Sequence, residues 1–155
     1  VRGAVTETLP ASCEDAFDLT HDYARRLEWD TLLSAAYLEG DATAAGKGVA
    51  ATCVGRGLLA RFALTTIYVS FRRPHVAAVK MVNRPPLFAT WAASIRHAPL
   101  SDGTSTITYT WNFTARPRWL AWLLEPIMAW SFARETRQRL AAMREHFARN
   151  PREDR

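Results

Sequence analysis

Tyr109 and His97 are the side chains on which proton chemistry is most easily imagined, because strand phase carries both onto an apolar face. Ile107, Tyr109, Trp111 and Phe113 alternate with Thr106, Thr108, Thr110, Asn112 and Thr114, and Trp91, Ala93, Ile95 and His97 share a phase opposite Thr90, Ser94 and Arg96. A phenol or imidazole there needs a backbone partner, or it contacts a ligand or acts as a general acid or base. Tyr109 and His97 are therefore the candidate catalytic residues. His21, His75 and His146 fall in a helix junction, a turn and a charged helix face, with no metal-ligand spacing between them. Cys13 and Cys53 lie far apart without a CxxC pattern and read as free thiols. Neither a metal nor a cofactor is expected. No GxSxG and no Gly-rich loop before a helix is present, and Gly46-Lys-Gly48 and Gly55-Arg-Gly57 read as turns or bulges.

The elements that position these groups follow from periodicity. Residues 2–9 predict a strand that Pro10 stops, after which Ser12 caps a helix running through Ala16, Phe17 and Leu19. A second helical piece spans residues 22–27 and leads to Trp29-Asp30. Residues 34–39 and 46–57 turn to strand character, followed by strands over 61–71, 76–82, 88–97 and 104–115. The turn Pro99-Leu-Ser-Asp-Gly103 signals a hairpin. An antiparallel meander with one apolar and one wet face results.

That face needs a cover, and residues 118–150 predict a helix ended by Asn150-Pro151. Ala129, Phe132, Ala133, Thr136, Leu140, Met143 and Phe147 form its buried stripe at i, i+3, i+4 spacing. Extending the stripe back through Trp122 puts Glu125 inward. Pro126 interrupts that phase and favours a solvated or capping role for Glu125. On the opposite side Trp119, Leu120, Leu123, Ile127 and Trp130 make an apolar patch flanked by Arg116, Arg118, Arg134 and Arg137. Three readings of the patch stand: packing against the early helices and loops, a homodimer contact, or a peripheral membrane contact through Trp119, Leu123, Ile127 and Trp130.

Composition bounds the rest. The 155 residues suit one domain over 1–150 with a charged tail at 151–155, and 48% hydrophobic residues exclude a disordered or low-complexity chain. The net charge of +5 sits mostly in the C-terminal segment, and 18 of the 20 basic residues are Arg. No zinc finger or aromatic RNP-type run accompanies that charge, which argues against nucleic acid as a partner. No apolar run approaches the roughly 18–20 residues of a membrane span, and the first residues lack a signal peptide's apolar core, so a cytoplasmic location is expected.

The order strand, two short helices, antiparallel meander, long C-terminal helix resembles the helix-grip fold. The chain is similar to the polyketide cyclase/dehydrase branch of the START-like (SRPBCC) superfamily, which includes lipid-transfer domains and pollen allergens. The residues that carry the likeness are Leu9-Pro10-Ala11, Ala16-Phe17, Leu19, Asp22-Tyr23, Trp29-Asp30, Gly46 and Gly48. Near the end, Trp122-Leu-Leu-Glu-Pro126 and the Arg-rich run Phe132–Leu140 complete it. The resemblance implies an α+β fold, a curved antiparallel sheet of about seven strands wrapped around the C-terminal helix, enclosing a hydrophobic cavity. The residues expected to bind a ligand there are Trp29, Met81, Trp91, Ile95, Tyr109, Trp111, Phe113, Trp122, Phe132 and Thr136. Two functions follow as expectations: binding of a lipid- or polyketide-like small molecule, or a polyketide cyclase/dehydratase-type enzyme that moves protons with cavity Tyr or His groups.

Overall fold

In the computed structural model, residues 1–57 and 62–151 are described. Strand β1 (Arg2–Leu9) is followed by α1 (Cys13–His21), whose N-terminus is capped as expected: Ser12 Oγ accepts from the Asp15 amide at 3.2 Å. The second helical piece is two short turns, a 3-10 turn at Tyr23–Arg25 and α2 at Arg26–Trp29. Asp22 supports the first by accepting from the Ala24 amide at 3.1 Å. Strands β2 (Leu33–Leu38), β3 (Ala50–Gly55), β4 (Ala63–Arg72), β5 (Val76–Met81), β6 (Phe88–Ser101) and β7 (Thr104–Ala115) follow, then a 3-10 turn at Arg118–Leu120 and helix α3 (Ala121–Arg149). The expected strand start at Arg61 and the tail beyond Pro151 lie outside the described residues.

The seven strands form one antiparallel sheet in the order β1-β7-β6-β5-β4-β3-β2. Consecutive strands pair as a meander, and the first strand closes onto the last. Register shifts at Leu33/Ala35, Tyr68/Ser70, Phe88/Thr90 and Pro99/Ser101 bend the sheet, because an extra residue on one strand locally increases its twist. This is the helix-grip α+β architecture, with α3 lying across the concave face. The hairpin differs from expectation: β6 runs on to Ser101 through a bulge, and Asp102-Gly103 alone make the turn, Gly103 taking φ +72. A left-handed residue at that place suits glycine and lets the ladder extend.

Helix α3 runs unbroken through Pro126. Proline has no N–H to donate to the Trp122 carbonyl, and Trp122 stands on the exposed side of the helix. Two buried clusters result from the alternation on the strands. Leu9, Ala16, Leu19, Trp29, Ile95, Ile107, Leu140 and Met143 form one, beneath α1 and the C-terminal half of α3. Phe17, Tyr68, Val79, Trp91, Trp111 and Phe113 form the other, with Phe132, Ala129 and Ala133 of α3 packed on it.

Candidate functional site

Between the sheet and α3 lies a cavity of about 360 Å³. Its volume is in the range of small-molecule pockets, and its walls are mostly apolar. The sheet contributes Leu33, Cys53, Leu64, Thr66, Tyr68, Val79, Trp91, Ile95 and Tyr109, and the turn before α2 contributes Tyr23. Ile127, Met128, Ser131, Phe132, Glu135, Thr136 and Arg139 line it from α3, a stretch of about 18 Å at 1.5 Å per residue. Pro85, Leu87 and Phe88 line one end.

That end opens to the surface, since Ile127 and Leu87 line the cavity and are also exposed. The segment there is held by Arg116, whose Nη2 donates to the carbonyls of Arg84 and Pro85 at 3.0 Å, while its amide donates to Leu87 O at 2.9 Å. Leu87 sits at φ 68, a left-handed conformation costly for a branched side chain. The first turns of α3 are anchored beside it by Glu125, whose Oε1 accepts from the Ala115 amide at 3.1 Å. The carboxylate thus serves the last residue of β7, and reaches neither the cavity nor the helix's own N-terminus.

The opposite end is polar and deeply buried. Asp30, 1% exposed, accepts through one oxygen from Arg26 Nε at 3.0 Å, Arg139 Nε at 3.0 Å and Arg139 Nη2 at 2.8 Å. Arg26 Nη1 also donates to the Thr20 carbonyl at 3.0 Å. The Arg26 guanidinium stacks over the Trp29 ring at 4.9 Å, and that of Arg139 lies 6.0 Å from the Tyr109 ring. The two guanidiniums outweigh burial and hold the Asp30 carboxyl below its usual range.

A second polar group adjoins the wall. Tyr68 Oη lies 2.7 Å from His21 Nδ1 and 3.1 Å from Tyr23 Oη, so the three side chains form a hydrogen-bonded chain ending at the cavity. Burial, helped by Arg26 and His97, lowers the His21 imidazole to about 3 and keeps it neutral. Burial likewise raises the phenols of Tyr23, Tyr68 and Tyr109, which therefore stay protonated as donors rather than bases at neutral pH.

The expected ligand residues divide. Trp91, Ile95, Tyr109, Phe132 and Thr136 do line the cavity. Trp111 and Phe113 face the same way but are sealed behind other rings, Trp111 5.0 Å from Phe132 and Phe113 5.7 Å from Phe88. Trp29 lies under Arg26 beside a separate small void, and Met81 packs at the edge of the second cluster. Trp122 is a clear correction. Its stripe phase points inward, but Glu125 already meets the end of β7, so the preceding residues project past the sheet and the indole stands in solvent.

His97 needs correcting too: it is buried 5.7 Å from the Phe17 ring of α1, away from the cavity wall that Tyr109 reaches. Neither of its ring nitrogens finds a hydrogen-bond partner among the described residues, and burial lowers it to about 4. Helix α1 covers that end of β6, which alternation alone does not reveal. Sequence reading missed Arg26, Arg139, Tyr23 and Tyr68. A signal existed for Arg139, since it falls between Thr136 and Leu140 of the buried stripe, where a charge requires a counter-ion.

The apolar patch on α3 stays bare. Trp119, Leu123, Ile127 and Trp130 are 76%, 46%, 59% and 65% exposed, so the packing of this face against the early helices does not occur. Arg118, Arg134 and Arg137 are exposed around it and make no ion pair among the described residues. No helix of the described residues is long and apolar enough to cross a membrane.

Residues 1–148 match the family model for polyketide cyclase / dehydrase and lipid transport. The Zhui aromatase/cyclase from Streptomyces sp. R1128 is similar in structure, with a TM-score of 0.77 at 15% identity over 99% of this chain and 96% of that one. A START superfamily protein from Mycobacterium smegmatis has a TM-score of 0.75 at 9% identity, over 94% and 98% of the two chains. The di-domain ARO/CYC BexL of the BE-7585A biosynthetic pathway matches with a TM-score of 0.74 at 11% identity, over 97% of this chain and 48% of its own length, so the chain spans about half of that protein. These likenesses are of fold. No curated protein matches the sequence.

Proposed function

Because the chain belongs to the polyketide cyclase/dehydrase and lipid transport family, whose members generally bind hydrophobic ligands, we propose that it encloses a lipid- or polyketide-like small molecule between the sheet and α3. Residues 1–150 act as one such domain in this reading. The observation that carries it is the 360 Å³ apolar cavity with an exposed mouth at Ile127 and Leu87. Trp91, Ile95, Phe132 and Val79 supply the apolar wall, and Tyr109 offers an orienting hydroxyl.

The neutral fluorophore N-phenyl-1-naphthylamine should bind with a saturable rise in emission. Ser131→Trp, which puts an indole into the cavity from α3, should weaken it by about tenfold or more, a loss of about 1.4 kcal/mol. An unchanged affinity in a folded variant would place the probe elsewhere and remove the cavity from the proposal.

A cyclase or dehydratase activity is the second reading, favoured by the Tyr109 hydroxyl, which lines the cavity with no hydrogen-bond partner among the described residues. Since burial keeps this phenol protonated, it would supply a proton to a carbonyl oxygen rather than remove one.

The mouth of the cavity is also where the chain would meet a ligand reservoir. Trp119, Trp122 and Trp130 stand exposed on the same helix turns as Ile127, and Arg118, Arg134 and Arg137 add positive charge with no ion pair among the described residues. This combination fits the surface of an anionic bilayer, with indoles at headgroup level and arginines on phosphate. Co-sedimentation with vesicles containing phosphatidylserine should be strong at low salt and fall as salt is added, since each arginine contributes about 1 kcal/mol and is screened. The combined Trp119→Ser, Trp122→Ser and Trp130→Ser variant should stay in the supernatant. A wild type that dimerises through this face and ignores vesicles would assign the patch to a second copy instead.

A further inference from the structure

We propose that the ligand carries one anionic oxygen group, a carboxylate, enolate or phenolate, seated at the inner end of the cavity against Arg26, Arg139 and Tyr109. The inference rests on the cavity reading and specifies which class of hydrophobic molecule enters.

The inner end holds two guanidiniums and one carboxylate, and the excess positive charge is buried. Asp30 occupies Nε of Arg26 and both Nε and Nη2 of Arg139. The remaining Arg26 bond, from Nη1, goes to the Thr20 carbonyl. Among the described residues Nη2 of Arg26 and Nη1 of Arg139 have no acceptor, and both arginines line the cavity. The Tyr109 hydroxyl is a third donor without an acceptor among the described residues; its residue lines the cavity from β7, with the Arg139 guanidinium 6.0 Å from its ring. Three donors without acceptors, carried by residues that line one mostly apolar chamber beside a surplus positive charge, suit a negatively charged acceptor, since hydrogen bonds to an ionised oxygen are the strong ones.

Glu135, an acidic side chain of the cavity lining, does not answer that need. It lies one helical turn toward the mouth from Arg139, accepts from Ser131 Oγ at 3.2 Å, and pairs with neither arginine. A monoanion at the inner end would balance the single excess charge, and its apolar body would extend past Phe132 toward Ile127.

Displacement of N-phenyl-1-naphthylamine at neutral pH and constant salt by decanoate and by decanol tests this, since the two share a ten-carbon chain and differ in the head. Decanoate should displace the probe at about tenfold lower concentration than decanol, the effect expected of a charged hydrogen bond. In Arg139→Met and Tyr109→Phe the preference should shrink to about threefold or less while the probe still binds, and Arg139→Lys should keep part of it. Equal displacement by the two compounds from a wild type that binds the probe normally would overturn the anion site and leave the cavity reading standing. A probe that does not bind at all would overturn both. The wild-type comparison decides the matter even if an arginine variant fails to fold.

Discussion

Replacing Asp30 by Asn should destabilise the protein by about 3–5 kcal/mol, the cost of leaving a buried charge without its partner. The wild-type inner end holds Arg26 and Arg139 against one carboxylate; D30N removes the carboxylate that pairs with both, leaving two guanidiniums without an ion-pair partner among the described residues. Arg139→Met should be much milder, because the Arg26 to Asp30 pair survives it at 3.0 Å. The double variant D30N/R139M should be more stable than the sum of the singles predicts, since one of the two orphaned charges is gone. Urea unfolding of the four proteins measures this, and a D30N chain as stable as R139M would show that the guanidiniums find other compensation. The sign of the pH dependence follows from the same geometry. The folded-state carboxyl titrates below its ordinary range, so its contribution is complete above about pH 4 and is lost as acid is added. D30N should lack that acid-dependent component.

Trp111→Ala should cost a comparable amount, about 3–5 kcal/mol, because it empties a site where a large ring is sealed on all sides. The indole is 2% exposed, 5.0 Å from the Phe132 ring, and directly opposite Gly3 in the pairing of β1 with β7. A Cβ built at Gly3 would come within 2.4 Å of Trp111 Cζ2, so the first strand lies flat on the indole only because residue 3 has no side chain. Gly3→Ala should accordingly cost about 1–3 kcal/mol by overpacking. In Gly3→Ala/Trp111→Ala that cost should largely vanish, since the added methyl occupies space the indole has left. Thermal unfolding of the cycle reads the coupling directly. As controls, Trp122→Ala and Trp130→Ala should each stay within about 0.5 kcal/mol of the wild type, because those indoles stand in solvent. Additive losses for Gly3 and Trp111 would mean that the strand and the ring do not constrain each other.

These two sites also separate what periodicity can and cannot convey. Alternation placed Trp91, Ile95, Tyr109, Trp111 and Phe113 on one face, and that assignment holds for all five. It carried no information about which of them would meet a cavity, because Trp111 and Phe113 share the phase of Trp91 and differ only in what α3 and β6 lay over them. The helical stripe was right about Phe132 and Thr136 and wrong about Trp122, where the same phase persists beyond the end of the sheet. His97 shows the converse: correctly inward, it packs against Phe17 of a helix distant in sequence and does not line the cavity.

What the sequence determined by itself is the list of elements and the side of each that is buried. Both depend on local terms: period-2 and i, i+3, i+4 spacing, the Ser12 cap, the glycine of the hairpin turn, and the proline after β1. With Trp29-Asp30, Gly46, Gly48 and the Arg-rich final helix, those terms were enough to reach the helix-grip architecture. Tertiary structure alone decided where the curled sheet and α3 part to leave a cavity, and where the patch of Trp119, Trp122 and Trp130 is left uncovered. It alone brought Arg26 and Asp30 of the early helical segment against Arg139 of α3, a contact across 109 residues of chain. The physical reason is that a charge or an indole is buried or bare only relative to the surfaces folded against it, and those surfaces come from segments that no local pattern joins.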